Sequence, residues 1–136
     1  MQLKFVILLS ILGTACTLEQ APLVATDVSI KEPLPGMQMT AGYLSLTNNT
    51  SQLITIARVT SPQFGSVEMH ESVVEDGIAR MYPLGELTIL AGKTVQFEPG
   101  GKHLMLMRPV GEFQSVTLEF HANKTVLLTV NVALSD

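Results

Sequence analysis

The feature that most constrains the fold is the spacing of apolar residues, which alternate with polar residues in short segments. A period of two is typical of β-strands that bury one face. β-branched residues fill many of these segments, and Pro, Gly, Asn and Asp separate them. We interpret ten segments as strands: Leu23–Ile30, Ala41–Thr47, Leu53–Thr60, Ser66–His70, Ala79–Tyr82, Leu87–Leu90, Thr94–Glu98, His103–Met107, Val116–Phe120 and Val126–Ala133.

No segment sustains the 3.6-residue period of an amphipathic helix, so we expect no helix of consequence. Many short strands at a spacing of about 8–12 residues are typical of antiparallel sandwiches and barrels with Greek-key connections. Hydrophobic residues make up 46% of the chain, which is enough to build one core. The sequence therefore predicts a single all-β domain, a Greek-key β-sandwich or barrel, over residues 23–136.

The first fifteen residues differ from the rest, because an apolar run, Phe5–Leu12, is followed by small residues and then Cys16. This order is typical of a secretory signal peptide that is too short to span a membrane. Cys16 resembles the lipid-acceptor cysteine of a bacterial lipoprotein, although Gly13 occupies the position where Leu is usual. We expect a signal peptide over residues 1–15 and a linker over residues 16–22.

This leader predicts a protein of the periplasm or of the outer side of a bacterial membrane. Lipidation of Cys16, which would tether the domain to that membrane, and ordinary cleavage both remain open. Cys16 is the only cysteine, so the domain after it is expected to have no disulfide, CxxC redox pair or thiol nucleophile.

The sequence argues against two broad functions, nucleic-acid binding and catalysis. The net charge of −4 comes with no basic block, and nucleic-acid binding would require a basic stripe. The pattern assembles no Ser/His/Asp arrangement and the acidic residues are dispersed, so we predict no catalytic residues and no enzyme.

Methionine and histidine are concentrated in one window, which carries the functional prediction. Four methionines lie between Met69 and Met107, and two of the three histidines lie there as well. Side chains alternate along a strand, so His103, Met105 and Met107 should share one face. The intervening leucines, Leu104 and Leu106, should face the core.

A second histidine and methionine can come from a hairpin whose tip is Glu75-Asp76-Gly77. A loop centred between Glu75 and Asp76 places His70 opposite Met81, and directly opposed residues have Cβ atoms about 4.5–5.5 Å apart. Two imidazoles and two thioethers would then converge. Soft thioethers select copper(I), and unlike paired thiolates they do not form disulfides in an oxidising compartment. We predict copper(I) as the bound ion and four ligands: His70, Met81, His103 and Met105.

The same residues carry a resemblance to a known family. Met69-His70 precedes Met81, and His103-Leu104-Met105 follows it, with residues 71–80 and 82–102 as spacers. With the segments Ala41–Asn48 and Pro99–Met107, this pattern resembles the periplasmic copper chaperones of the PCuAC family. The resemblance runs from about Leu23 to the C-terminus.

Membership of that family implies a cupredoxin-like β-barrel in which the same four residues bind copper(I). It also implies delivery of the copper to another protein during assembly of the binuclear copper centre of cytochrome c oxidase. The acceptor would be an oxidase copper-centre subunit or a thiol-bearing assembly factor.

Three other functions remain open at this stage. An electron-transfer cupredoxin would need a cysteine thiolate, whereas a secreted β-sandwich interaction domain would need no metal. Copper storage or tolerance would use the same ligands. Among the remaining candidates, Met69 and Met107 are expected to pack in the core or at its rim. Met37 and Met39 are expected in a loop, with an auxiliary soft site or a flexible flap as the alternatives, and His121 is expected at the surface.

Overall fold

The computed structural model describes residues 19–135, and these residues contain no helix. The predictions of a signal peptide and of an acceptor role for Cys16 lie outside the described residues. Within the described part no helix is long and apolar enough to cross a membrane. Eleven strands follow one another: β1 (Leu23–Ile30), β2 (Met39–Asn48), β3 (Ile54–Ile56), β4 (Arg58–Thr60), β5 (Phe64–Glu75), β6 (Ile78–Pro83), β7 (Leu87–Ile89), β8 (Thr94–Phe97), β9 (Lys102–Pro109), β10 (Ser115–Ala122) and β11 (Thr125–Ala133).

Most strands belong to one antiparallel sheet in the order β1-β2-β9-β5-β4-β10-β11. β8 also pairs with β2, β6 also pairs with β5, and β3 and β7 form a separate two-stranded sheet. A bridge between Lys31 and Ser135 joins the two ends of the large sheet, where the Ser135 amide donates to the Ile30 carbonyl at 3.0 Å. The sheet is therefore nearly closed into a barrel, and the predicted all-β class is confirmed.

The position of β9 in the middle of this sheet places the candidate site. β9 pairs with β2 on one side and with β5 on the other. Leu104 and Leu106 are completely buried, and Met69 of β5, which lies directly opposite Leu104, is 4% exposed. These three residues line the core, as predicted. Their neighbours along the strands therefore project from the other face of the sheet.

Several predicted strand boundaries are wrong, and the strand predicted over Ser66–His70 is much longer, running from Phe64 to Glu75. The segment Leu53–Thr60 is not one strand, because the chain leaves the β3–β7 sheet at Ile56 and joins the large sheet as β4. Ala57, between the two strands, donates its amide to the His121 carbonyl at 2.7 Å. In addition, β2 begins two residues earlier than predicted, so Met39 lies in a strand rather than in a loop.

The register of the β5–β6 hairpin also differs from the prediction. Glu75 pairs with Ile78, and the two residues between them both have positive φ, 51° for Asp76 and 77° for Gly77. Asp-Gly favours such two-residue turns because both central positions need φ above zero. The hairpin is thus centred between Asp76 and Gly77. His70 lies opposite Pro83 instead of Met81, and Met81 lies opposite Ser72.

Candidate metal centre

His70 and His103 are direct cross-strand partners in β5 and β9. Their ring centroids are 5.8 Å apart and the ring planes meet at 59°. His103 is 6% exposed and the His70 side chain is 16% exposed. Because the adjacent residues Met69 and Leu104 line the core, the two imidazoles form a shielded pair on the opposite face of the sheet.

The backbone sets the orientation of the His103 ring. Its Nδ1 lies 3.1 Å from the Gly101 carbonyl oxygen, which can only accept a hydrogen bond, so Nδ1 is the donor. In the neutral ring Nε2 then holds the lone pair that a metal would need. The Gly101 carbonyl is itself fixed, because it also accepts the Ser72 amide at 3.0 Å.

Glu68 gives His70 a comparable partner. The Glu68 Oε2 atom lies 2.8 Å from His70 Nε2, and the carboxylate is half-exposed. A carboxylate on one imidazole nitrogen orients the ring and raises the basicity of the other nitrogen, which here is Nδ1. The sequence places Glu68 near the His70 hairpin only as one of several acidic residues, although alternation two positions before His70 could have placed it on the same face.

The two methionines flank the histidine pair. Met105 lies two residues after His103 on the same face of β9, directly opposite Glu68, and is half-buried. Met81 pairs with Ser72, two residues after His70, and is 50% exposed. It is thus a diagonal neighbour of His70, and diagonal neighbours at about 7–8 Å are within reach of long side chains. All four predicted ligands occur on one face of β9, β5 and β6.

The donor chemistry of this face is mixed. Among residues 19–135, no three His, Cys, Asp or Glu side chains form a group that could hold a metal ion. The further side-chain donors that this face offers to a metal at the histidine pair include the thioethers of Met81 and Met105. Such a nitrogen and sulfur set suits a soft ion rather than calcium or magnesium.

Other sequence candidates fall elsewhere. His121 is 7% exposed, so the prediction of a surface histidine is wrong. A bulge between Phe120 and His121 interrupts the alternation of β10, and both side chains are buried. The His121 Nε2 atom lies 2.8 Å from the Thr60 hydroxyl. Met37 remains in the loop before β2 and is exposed.

The family model described as "Putative lipoprotein LpqE-like" matches residues 23–133, which is most of the chain. The chain belongs to the LpqE-like family. Two curated proteins are similar to it: "Uncharacterized protein RP573" of Rickettsia prowazekii (strain Madrid E), 26% identical over 99 residues, and "Putative lipoprotein Lxx21020" of Leifsonia xyli subsp. xyli (strain CTCB07), 33% identical over 103 residues. The matches cover 68% and 71% of this chain but only 55% and 62% of those proteins.

Solved structures share the fold of this LpqE-like chain. The "Copper-bound PCuAC domain from PmoF2" superposes with a TM-score of 0.64 at 19% identity, covering 83% of this chain and 92% of that domain. The "Solution structure of apo-DR1885 from Deinococcus radiodurans" gives 0.60 at 22% identity, covering 98% and 95% of the two chains. The predicted cupredoxin-like β-barrel is thereby confirmed.

Proposed function

We propose that this LpqE-like chain is an extracytoplasmic copper(I) carrier that binds one ion through His70, Met81, His103 and Met105. The observation that carries the proposal is the direct opposition of the two imidazoles, with centroids 5.8 Å apart. Thioether side chains flank that pair on the same face. Two neutral nitrogens and two neutral sulfurs suit a soft monovalent cation.

The fold comparison supports the same ion. The barrel is shared with a PCuAC domain whose structure is described as copper-bound. The positions of the four His and Met residues in the sheet supply a second, independent argument. The residues come from three different strands and nevertheless occur on one face.

A carrier must also release its ion, and the gradient of exposure across the site favours release in steps. Met81 is half-exposed, whereas His103 is almost completely buried. An incoming ligand of the acceptor protein can therefore replace Met81 first and reach the histidines last. We propose an oxidase copper-centre subunit, or a thiol-bearing assembly factor, as the acceptor.

The proposed location is the periplasm or the outer side of a bacterial membrane, after removal of residues 1–15. The family description as a lipoprotein supports lipidation of Cys16. Radiolabelled fatty acid fed to cells that produce the full chain tests this point, because Cys16→Ser should abolish labelling.

Copper(I) titration in competition with a chromogenic chelator tests the ligand set. His103→Ala and Met105→Ala should each weaken copper(I) binding by about tenfold or more. Loss of a residue that only hydrogen-bonds to a metal ligand already lowers metal affinity about 10–100-fold, and loss of a ligand should cost at least as much. Met37→Leu, which removes an exposed thioether outside this face, should leave affinity unchanged. Wild-type affinity in both site variants would contradict the proposal.

A transfer experiment separates carriage from storage. The copper(I)-loaded domain is mixed with an apo oxidase copper-centre domain, and the metal content of each protein is followed after separation. Movement of copper to the oxidase domain supports delivery. Full retention would instead favour storage or tolerance, and metal-independent binding of a partner would favour an interaction domain.

A further inference from the structure

A second pair of thioethers lies on the same face of the sheet. Met39, the first residue of β2, is directly opposite Met107 of β9, so their Cβ atoms are expected about 4.5–5.5 Å apart. Met107 shares its face with Met105 and His103, because the residues between them, Leu104 and Leu106, are completely buried. Along β9 the face thus runs from the histidine pair through Met105 to the Met39–Met107 pair.

Packing alone does not account for this pair. Met39 is 46% exposed and Met107 is half-buried, so the two side chains reach the surface rather than fill the core. The β2 residue opposite Met105 is Ala41. Its methyl group is small, so it leaves space beside Met105 on the side that faces the Met39–Met107 pair. Thioethers therefore occupy successive positions on this face between the surface and the shielded histidines.

We propose that Met39 and Met107 form an outer soft-metal site that binds copper(I) through two thioether sulfurs. The site rests on the proposed function for its physiological ion, but its ligands do not include the histidines. Met105 is spaced about 7 Å from Met107 along the strand, and it links the outer site to the inner one. Copper(I) enters the inner site by way of this pair.

The surrounding charge makes the outer site the weaker of the two. Arg108 follows Met107, and its guanidinium donates to the Ser66 hydroxyl at 2.9 Å. Ser66 is opposite Met107 on the β5 side, so the cation is held on the side of β9 away from Met39. A nearby positive charge weakens the binding of a cation. Weak binding suits an outer site from which copper(I) must move on to the inner site.

Silver(I), a soft monovalent ion that is stable in air, is the probe for this site. The protein is labelled at the methionine methyl carbons, and silver(I) is added to the double variant His70→Ala/His103→Ala, which lacks the inner imidazoles. We expect the Met39 and Met107 methyl resonances to shift together and saturably. Met37 is the internal control, since it is similarly exposed but lies in the loop before β2, outside this face, and its methyl should respond only at higher silver(I).

Met39→Leu keeps the size of the side chain and removes one sulfur. In the double variant it should weaken silver(I) binding at Met107 by about tenfold or more, because losing a ligand costs at least as much as losing an outer partner. In the otherwise wild-type chain it should remove the second silver(I) equivalent and leave the first unchanged. This second measurement covers the case in which the double variant does not fold.

The results separate the two proposals. If Met39 and Met107 do not shift before Met37, or if Met39→Leu leaves the second equivalent intact, the outer site is overturned whatever the inner site does. If His103→Ala and Met105→Ala leave copper(I) affinity unchanged while Met39 and Met107 still shift together, the inner carrier site fails and the outer site stands.

Discussion

The contact between Glu68 and His70 makes a sharp prediction about copper affinity. With Nε2 of His70 held at 2.8 Å by the carboxylate, copper(I) is expected to bind through Nδ1, and Glu68 acts as an outer partner of the ligand. Glu68→Gln keeps an oxygen that accepts the hydrogen bond but removes the negative charge. The ligand becomes less basic, and one negative charge no longer offsets the charge of the ion.

The magnitude follows from the exposure of the carboxylate. Outer partners of metal ligands contribute 10–100-fold to affinity. The Glu68 side chain is 51% exposed, so solvent and salt screen its charge, and the lower end of that range applies. We expect Glu68→Gln to weaken copper(I) binding about tenfold, or about 1.4 kcal/mol, and Glu68→Ala to weaken it further.

The chain offers a matched control in Glu71. Glu71→Gln makes the same change in net charge, but the Glu71 carboxylate pairs with Lys102 Nζ at 2.9 Å and does not contact the histidines. The assay is competition with a chromogenic copper(I) chelator at constant ionic strength. If Glu68→Gln and Glu71→Gln weaken copper(I) binding equally, the effect comes from the change in net charge and not from the contact with His70. Tighter binding by Glu68→Gln would refute the reasoning, because Glu68 would then compete with copper for Nε2.

Three further predictions concern the scaffold and the hairpin. Phe120→Ala, at a fully buried position, should lower the free energy of unfolding by about 3–5 kcal/mol in urea, whereas Val74→Ala, 74% exposed, should change it by less than about 0.5 kcal/mol. Gly77→Ala, at a φ of 77°, should cost about 1–2 kcal/mol in the same assay, and Gly77→Asn should cost less because Asn tolerates this conformation. The Tyr82 hydroxyl donates to Glu75 at 3.0 Å, which stabilises the protonated phenol and raises its pKa above 10.0. Glu75→Gln should return the Tyr82 pKa toward 10.0 in a spectrophotometric titration, and an unchanged titration curve would show that the bond does not form in solution.

Alternation along β9 was sufficient to predict which side of that strand faces the core. Leu104 and Leu106 are buried as predicted, and this alone places His103 and Met105 on the other face. The pairing of β5 with β9 could not be predicted in this way, because nothing local to either strand specifies that residue 70 should lie opposite residue 103. Such long-range register is set by packing of the whole sheet.

The errors have local causes. The hairpin register was wrong by one position on each strand because the preference of Asp76-Gly77 for a two-residue turn was not used. His121 was misplaced because a bulge changes which side of β10 its side chain takes, and the bulge has no signature in the spacing of apolar residues. The contact of Glu68 with His70 was not predicted, because a carboxylate in a strand resembles an ordinary solvent-exposed residue.

The length of β5 has a consequence for motion. β5 pairs with β9 as far as Glu71, and the Ser72 amide still donates to the Gly101 carbonyl. Residues 73–80 therefore extend beyond the sheet as a two-stranded arm, and every residue of β6 is exposed. A two-stranded ribbon is only marginally stable by itself, so this arm should fray and reclose far more often than the strands beneath it. Met81 lies where this arm joins the sheet, while His103 and Met105 belong to a strand that is paired on both sides. Amide exchange and limited proteolysis should therefore find that the β5–β6 side of the site opens more often than the β9 side. A bound ion should slow this opening, because it would connect Met81 to the residues of β9.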